Sequence, residues 1–157
     1  MSQEKILVVD DELLVRELLF EFLSGENYEV ILADCGEKAV ELIKSRPVEV
    51  VLIDLKMPGM NGIETLKKIK EVDPHTLSII MTGYPTVESS IEALRCGAYD
   101  YVIKPFKLTE LQSSVEKALH EYKLKTEIGR LKNRIKTLEE ELKKCLTPEG
   151  KSEILSE

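Results

Sequence analysis

The order of apolar and polar residues up to Pro105 predicts five short strands, each followed by a helix. The predicted strands are uninterrupted apolar runs bounded by charged residues or turn formers, which is typical of strands buried on both faces of a sheet. Between them, apolar residues recur three and four positions apart, as they do on one face of a helix. The strands are predicted at residues 5–9, 28–32, 48–53, 77–81 and 101–103.

The helical patterns between these strands end at residues that interrupt a helix, namely Gly25, Pro47, Pro74 and Gly97. Asn61 precedes the third helix and can cap it. The first three patterns carry Leu13, Leu14, Leu18, Leu19 and Phe22, then Ala39, Val40 and Ile43, then Ile63, Leu66 and Ile69, and the fourth covers residues 86–95. Strands alternating with helices through short loops predict a doubly wound, five-stranded parallel α/β sheet of the form (βα)5.

Polar residues stand at the carboxyl ends of four predicted strands. They are Asp10 and Asp11 after the first, Asp54 at the third, Thr82 at the fourth and Lys104 at the fifth. Each alone also fits a structural role as a helix cap, a turn former or a solvated lysine. In a parallel sheet, however, these strand ends lie on one edge, where open α/β folds bind ligands. The joint placement therefore predicts one site.

Three carboxylates gathered in a small space repel one another unless a cation joins them. A hard divalent ion, Mg²⁺ or alternatively Mn²⁺, prefers such oxygen ligands. Asp11 and Asp54 are the predicted direct ligands, with Asp10 more distant. Lys104 adds a further positive charge and Thr82 a hydroxyl donor. This combination suits phosphoryl transfer to Asp54 as the nucleophile.

These residues belong to a set of spaced motifs, which are Asp10-Asp11, Asp54 with Met57-Pro58-Gly59 and Asn61-Gly62, Thr82-Gly83, and Tyr101 with Lys104-Pro105. With them the chain resembles the response regulator receiver family of two-component signalling over about residues 4–120. The resemblance implies a flavodoxin-like sheet with strand order 2-1-3-4-5. It also implies a phosphoacceptor switch rather than an enzyme, with slow self-dephosphorylation.

The resemblance assigns a role to each site residue. Asp54 is expected to accept a phosphoryl group from a phosphohistidine on a partner sensor histidine kinase. Mg²⁺ is expected on Asp11, Asp54 and the backbone carbonyl of Lys56, with Asp10 acting through water. Lys104 and Thr82 are expected to contact the phosphoryl oxygens.

The resemblance further implies a conformational switch. Movement of Thr82 toward the phosphoryl group is expected to let Tyr101 turn inward and reshape the surface around the fourth helix and fifth strand. The Lys104–Pro105 bond is expected to be cis, a state accessible to bonds before proline. Lys56 and Tyr84 are predicted to flank the entry of the water that hydrolyses the phosphoryl group.

The last helical pattern starts at Leu108 and continues far beyond His120. Apolar residues follow a heptad, with isoleucine or leucine at position a and mostly leucine at d, which favours a parallel two-stranded coil. They are Ile128, Ile135 and Leu142 at a, and Leu124, Leu131, Leu138 and Cys145 at d. The alternative is a solitary helix that packs its stripe on its own domain.

The predicted domains are a receiver at 1–120, a coiled-coil dimerisation linker at 121–146 and a flexible tail at 147–157. Between parallel partners, Glu127 would face Lys132 and Arg134 would face Glu139, both pairs opposite in sign. In such a homodimer the two Cys145 thiols would lie close enough to cross-link.

Composition limits the setting of the protein. The 157 residues carry a net charge of −7 and 32% charged residues, which gives no general attraction to nucleic acid. No apolar stretch reaches membrane-spanning length and no signal peptide is recognisable. Three widely spaced cysteines fit a reducing environment. We therefore expect a cytoplasmic protein without membrane contact.

The Met-Thr-Gly and Gly-Ala-Tyr-Asp-Tyr segments, together with the helical linker, are similar to receivers of nitrogen-regulatory-type transcription activators. In those proteins an ATPase and a DNA-binding domain follow the linker.

Three other functions compete with a phosphorylated receiver. A phosphatase of the haloacid-dehalogenase type also uses a strand-end Asp nucleophile, but its motif is Asp-x-Asp, and position 56 here is Lys. A flavodoxin-like cofactor binder needs exposed N–H groups after the first strand, where Asp10 and Asp11 would repel a phosphate. A coiled-coil dimerisation module with a passive receiver is the third alternative.

Overall fold

The computed structural model describes residues 3–146. Its sheet has five parallel strands in the order β2-β1-β3-β4-β5. The strands are β1 (Lys5–Val9), β2 (Glu29–Ala33), β3 (Val50–Asp54), β4 (Leu77–Thr82) and β5 (Asp100–Ile103). The predicted strand order is therefore confirmed, and β3 lies at the centre of the sheet.

Five helices follow the strands in turn. They are α1 (Leu13–Gly25), α2 (Gly36–Ser45), α3 (Gly62–Val72), α4 (Val87–Arg95) and α5 (Leu108–Cys145). Asn61 caps α3 as predicted, because its side chain accepts a hydrogen bond from the N–H of Glu64 at 3.0 Å. The cap of α4 is Thr86, whose hydroxyl oxygen accepts from the Ser89 N–H.

Alternate strand residues point into two separate cores on opposite faces of the sheet. Leu7 and Val9 pack with α2 and α3, whereas Ile6 and Val8 pack with α1 and the start of α5. Because both faces are covered, every residue of β3 and β4 is buried. The uninterrupted apolar runs in the sequence reflect this double burial.

Some element ends differ from those predicted by one or two residues. The ladder of β3 begins at Val50 rather than 48, because Val48 directs its carbonyl to the Thr76 hydroxyl at 2.9 Å. On α1, only Leu19 and Leu23 are buried, while Leu13, Leu14 and Leu18 keep 57%, 78% and 50% of their surface exposed. This helix is more apolar than its contact with the sheet requires.

Contacts divide the chain into two compact units, one up to Tyr122 and one from Lys123 onward. In the second unit every described residue except Gly129 is exposed. The predicted flexible tail, residues 147–157, lies outside the described residues. Within residues 3–146, no helix is both long and apolar enough to cross a membrane.

Candidate functional site

Asp54 is the last residue of the central strand β3 and is only 6% exposed. Its neighbour across the sheet is Met81 of β4, one residue before Thr82. The chain then turns away from the sheet through the β3–α3 loop, residues 55–61. The carboxylate is therefore held at the carboxyl edge of the sheet by a backbone that is paired on both sides.

Asp10 and Asp11 follow β1, the strand next to β3. Asp10 is fully buried, its N–H bonds the Ala33 carbonyl at 3.2 Å, and its Oδ1 accepts the Glu12 N–H at 2.9 Å. Asp11 is exposed. Carboxylate oxygens of the three aspartates, Asp10, Asp11 and Asp54, lie within 4.8 Å of one another.

Lys104, which directly follows β5, brings a positive charge to the site. Its Nζ lies 2.8 Å from Asp10 Oδ2 and 3.4 Å from Asp54 Oδ1. The Lys104 N–H donates to the Thr82 carbonyl at 2.7 Å, which holds the ends of β4 and β5 together. The following bond to Pro105 is cis.

Burial and charge act against each other at this site. Burial, then the nearby charge of Asp10, raises the pKa of Asp54 from 3.8 to about 6, although Lys104 opposes the shift. For Lys104, burial by itself lowers the pKa, but the hydrogen bond and charge of Asp10, with those of Asp54, outweigh it and leave the pKa raised. The single ammonium of Lys104 thus offsets only part of the negative charge of the carboxylates.

Gly62 allows the β3–α3 loop to close on Asp54. Its N–H donates to the Leu55 carbonyl at 2.8 Å. A Cβ at this position would lie 2.5 Å from the Asp54 carbonyl oxygen and 2.7 Å from the Leu55 Cα. Only glycine fits this close approach without moving the backbone that carries Asp54. The sequence marked Asn61-Gly62 as a motif, but not this contact.

The two predicted switch residues occupy different surroundings. Thr82 is buried, and its Oγ1 accepts the Tyr84 N–H at 3.1 Å. Tyr101 is half-buried, and its hydroxyl lies 2.8 Å from Ser89 Oγ at the start of α4. Ser89 was not predicted from the sequence, because nothing in the sequence around it indicates a contact with Tyr101.

Lys56 and Tyr84, which were predicted to flank the site, lie beside each other. The Lys56 ammonium is 4.6 Å from the centroid of the Tyr84 ring, a cation–π distance. Tyr84 keeps 70% of its surface exposed. Their loops follow Asp54 and Thr82 respectively, so the pair joins the two loops next to the site.

Lys104 also adjoins a largely apolar depression in the surface. Leu18 of α1 lines this depression together with Val15, Tyr84, Pro105 and Phe106. Sequence reasoning did not single it out as part of the site. The available signal was the excess of leucines on α1, which one narrow packing face cannot bury.

The site residues fit a hard divalent cation. Oxygens of three carboxylates lie within 4.8 Å of one another, and such oxygens are the donors that Mg²⁺ and Mn²⁺ prefer. The partial neutralisation by Lys104 leaves net negative charge for such an ion to balance. Thr82 adds a hydroxyl on the adjacent strand end.

The predicted coiled-coil positions form an exposed stripe along α5. Between 45% and 57% of the surface of each is exposed, for Leu124, Ile128, Leu131, Ile135, Leu138 and Leu142. On the same helix, Glu127 Oε1 pairs with Arg130 Nη2 at 2.6 Å.

Curated relatives share the first part of the chain. The regulatory protein AtoC of Escherichia coli K12 is 43% identical over 133 residues, covering 85% of this chain and 29% of the relative. Sporulation initiation phosphotransferase F of Bacillus subtilis 168 is 39% identical over 119 residues, covering 76% and 96%. The DNA-binding transcriptional regulator NtrC of E. coli K12 is 34% identical over 122 residues, 78% of this chain and 26% of NtrC. The chain spans less than a third of AtoC and NtrC.

Solved structures agree with this likeness. A CheY-like response regulator receiver domain protein from Methanospirillum hungatei JF-1 superposes with a TM-score of 0.77 at 31% identity, covering 79% of this chain and 99% of that one. NtrX from Brucella abortus gives 0.78 at 34% identity, covering 85% and 30%. Residues 6–116 match the response regulator receiver domain family. The chain therefore belongs to the response regulator receiver family, and its relatives include receivers of nitrogen-regulatory-type transcription activators.

Proposed function

We propose that this chain is a phosphoacceptor switch in which Asp54 receives a phosphoryl group from a phosphohistidine of a partner sensor histidine kinase. The observation that carries this proposal is the position of Asp54 at a strand end, among two further carboxylates and Lys104. Burial of such a cluster costs folding energy, because its carboxylates lose hydration that one ammonium replaces only in part. Family membership supports the same reaction.

In the reaction, an Asp54 carboxylate oxygen attacks phosphorus. An O–P bond forms as the N–P bond of the phosphohistidine breaks, and the bonding electrons remain on the imidazole nitrogen. With a pKa of about 6, Asp54 is largely ionised at neutral pH and can act as the nucleophile. The product stays on the protein, which makes the chain a switch rather than an enzyme with turnover.

Mg²⁺, or Mn²⁺ in its place, would be held by Asp11, Asp54 and the backbone carbonyl of Lys56, with Asp10 acting through water. When bound, the ion neutralises charge on the transferring phosphoryl group. Asp10 also holds the Lys104 ammonium at 2.8 Å, which keeps this ammonium within reach of Asp54.

Lys104 and Thr82 are proposed to contact the phosphoryl oxygens. Lys104 Nζ already reaches Asp54 at 3.4 Å. The Thr82 hydroxyl accepts a bond from the Tyr84 N–H, and as a hydroxyl it also has a proton to donate. Movement of Thr82 toward the phosphoryl group is proposed to let Tyr101 turn inward, which changes the surface formed by α4 and β5.

Lys56 and Tyr84 are proposed to set the lifetime of the phosphoryl group. The two loops that they join are those through which water would reach Asp54. Their cation–π contact, at 4.6 Å, keeps a bulky aromatic ring over this approach. Smaller side chains there would leave the phosphorus more accessible to water.

The second half of α5 is proposed to form a parallel homodimer, with Leu124, Ile128, Leu131, Ile135, Leu138 and Leu142 as the seam. Isoleucine at a and leucine at d favour two parallel strands. The exposure of this stripe leaves it available to a partner helix. Glu127 would exchange its Arg130 partner for Lys132 of the second copy, or share both.

The output is proposed to be transcription regulation through domains that follow the receiver in the full-length protein. AtoC and NtrC are named as regulators, and both are more than three times as long as the segment matched here.

The test is phosphorylation by a small phosphodonor such as acetyl phosphate, followed by intact-mass measurement. Wild type with Mg²⁺ is expected to gain one phosphoryl group, which EDTA prevents and Asp54→Asn abolishes. Asp34→Asn, at an exposed aspartate, is the control and is expected to behave as wild type. Incorporation that survives Asp54→Asn, or none in wild type, would refute the proposal.

A further inference from the structure

The first turn of α4 is closed by a reciprocal cap between Thr86 and Ser89. Thr86 Oγ1 accepts the Ser89 N–H at 3.0 Å, and Ser89 Oγ accepts the Thr86 N–H at 3.2 Å. The Ser89 hydroxyl also lies 3.1 Å from the Thr86 carbonyl oxygen, to which it donates. Ser89 therefore satisfies backbone groups that a helix start leaves without intrahelical partners.

The same Ser89 hydroxyl meets the Tyr101 hydroxyl at 2.8 Å. A serine hydroxyl has one proton and two acceptor positions. When its proton lies toward the Thr86 carbonyl and the Thr86 N–H uses one acceptor position, Tyr101 fills the other by donating its proton. The full set of Ser89 hydrogen bonds is thus completed by Tyr101.

The cap matters because α4 has little else to hold it. Only Ala93 is buried among its nine residues, whereas α3 buries five of eleven. Val87, Ile91 and Leu94 keep 70%, 43% and 55% of their surface exposed. A helix with so few buried side chains depends more heavily on its terminal hydrogen bonds.

We propose that Ser89 is a positioning residue that ties Tyr101 to the first turn of α4, so that movement of Tyr101 directly weakens the cap of this helix. The inference rests on the proposed switch function and adds the atom, Ser89 Oγ, through which movement of Tyr101 affects α4. When Tyr101 turns inward, the 2.8 Å bond breaks and Ser89 loses one of its partners. The start of α4 then becomes easier to rearrange.

This contact stabilises the arrangement in which Tyr101 is bonded to α4. Its removal lowers the cost of leaving that arrangement, and a ligand that favours the other arrangement binds more tightly as a result. Ser89→Ala and Tyr101→Phe remove the same bond from its two ends. Their effects should therefore overlap rather than add.

The experiment measures binding of beryllofluoride with Mg²⁺, a mimic of the phosphoryl group, together with amide hydrogen exchange in α4. Tyr101→Phe is expected to lower the dissociation constant about fivefold, the factor that one hydrogen bond provides. Ser89→Ala also removes the two bonds of Ser89 Oγ to Thr86 and is expected to lower it at least as much. The double variant is expected to match Ser89→Ala, because that change already removes the bond to Tyr101. Without ligand, the first turn of α4 should exchange faster in all three.

Two variants separate positioning from a general effect on the helix. Ser90→Ala is the matched control, because Ser90 is an equally half-buried serine on α4 whose hydroxyl bonds only the Val87 carbonyl, at 2.8 Å, among the contacts in the described chain. It is expected to bind as wild type does. Ser89→Thr retains the hydroxyl and is expected to restore wild-type binding and exchange.

Additive effects of Ser89→Ala and Tyr101→Phe, weaker binding by Ser89→Ala, or equal behaviour of Ser89→Ala and Ser90→Ala would each overturn the inference. Failure of the proposed function has a different signature, in which wild type itself binds no beryllofluoride. In that case the exchange rates of α4 without ligand still decide whether Ser89 and Tyr101 act as a pair.

Discussion

At the strand-end site, Asp10 and Asp54 are charged groups that are buried, whereas along the second half of α5 Ile128 and Ile135 are apolar groups that are half exposed. Both arrangements are unfavourable in isolation, since buried carboxylates lose hydration and exposed apolar side chains order water. Lys104 offsets the first cost only in part. Each region therefore has the composition of a binding surface, on which a ligand or partner would offset the unfavourable burial of charge or exposure of apolar groups.

The two regions differ in what completes them. Under the proposed function, the site takes a small, hard cation and a phosphoryl group, and its geometry is held by paired strands. The proposed seam on α5 takes a second apolar surface of the same length. The variants below perturb one region while leaving the other intact, from the largest expected effect to the smallest.

The largest effect is expected from Ile128→Asn together with Ile135→Asn in the α5 stripe. Two amides in adjacent a positions would have to be desolvated in the coil, so the dimer dissociation constant should rise by about 100-fold or more. Light scattering across micromolar concentrations measures the change. Lys136→Ala, at an outward position, is the control and should remain dimeric. A wild-type monomer under these conditions would refute the coiled coil.

Gly62→Ala is expected to lower the free energy of unfolding by about 3 kcal/mol, because the new Cβ meets backbone atoms of Asp54 and Leu55 that cannot move cheaply. Thermal or urea unfolding measures this loss. Gly129→Ala in α5 is the matched control, since a Cβ there meets nothing within 4 Å. That change should stabilise the helix by about 1 kcal/mol. Equal effects at the two glycines would contradict the packing argument.

Asp54→Asn is expected to stabilise the metal-free protein at high pH. The pKa of Asp54 rises from 3.8 to about 6 on folding, so the folded state retains a proton that the unfolded state has lost. Stability attributable to this carboxyl is thus present below pH 3.8 and is lost as the pH rises to about 6. The variant escapes this loss and should be more stable by about 3 kcal/mol at pH 8.

Urea unfolding in EDTA at pH 8 and at pH 3.5 checks this expectation, and the difference between variant and wild type should vanish at the lower pH. Glu92→Gln, at an exposed carboxylate, changes the net charge equally and is the control for net charge. Added Mg²⁺ should stabilise wild type more than Asp54→Asn. A variant less stable than wild type at pH 8 would show that Asp54 is favourably paired without metal.

The smallest effect is expected from Lys56→Ala with Tyr84→Ala, which removes the cation–π pair beside the site. Loss of the ring should admit water and raise the decay rate of the phosphoryl group on Asp54 by a few-fold. The free energy of unfolding should change little. Decay is followed by intact mass after removal of the phosphodonor. The paired substitution Tyr99→Ala with Lys107→Ala serves as a control away from this contact. An unchanged decay rate would refute the lifetime role.

Much of the fold could be predicted because strands that are buried on both faces of a sheet have continuous apolar sequences, as in residues 50–53. The site could be predicted because parallel strands place their carboxyl ends together, so Asp10, Asp54 and Lys104 had to meet. The excess leucines of α1 could not be assigned, since helical spacing indicates which residues share a face but not how much of that face is covered.

By itself, the sequence determined the five-stranded parallel sheet, the strand-end carboxylates with Lys104, the cap at Asn61 and the apolar repeat of α5, because each follows from local periodicity or from strand direction. Only the tertiary structure decided the contacts between distant segments, such as Gly62 against the Asp54 backbone, Lys56 over Tyr84 and Ser89 on Tyr101. These depend on how loops from different strands approach one another. That approach is set by packing of the whole sheet, which no short stretch of residues encodes.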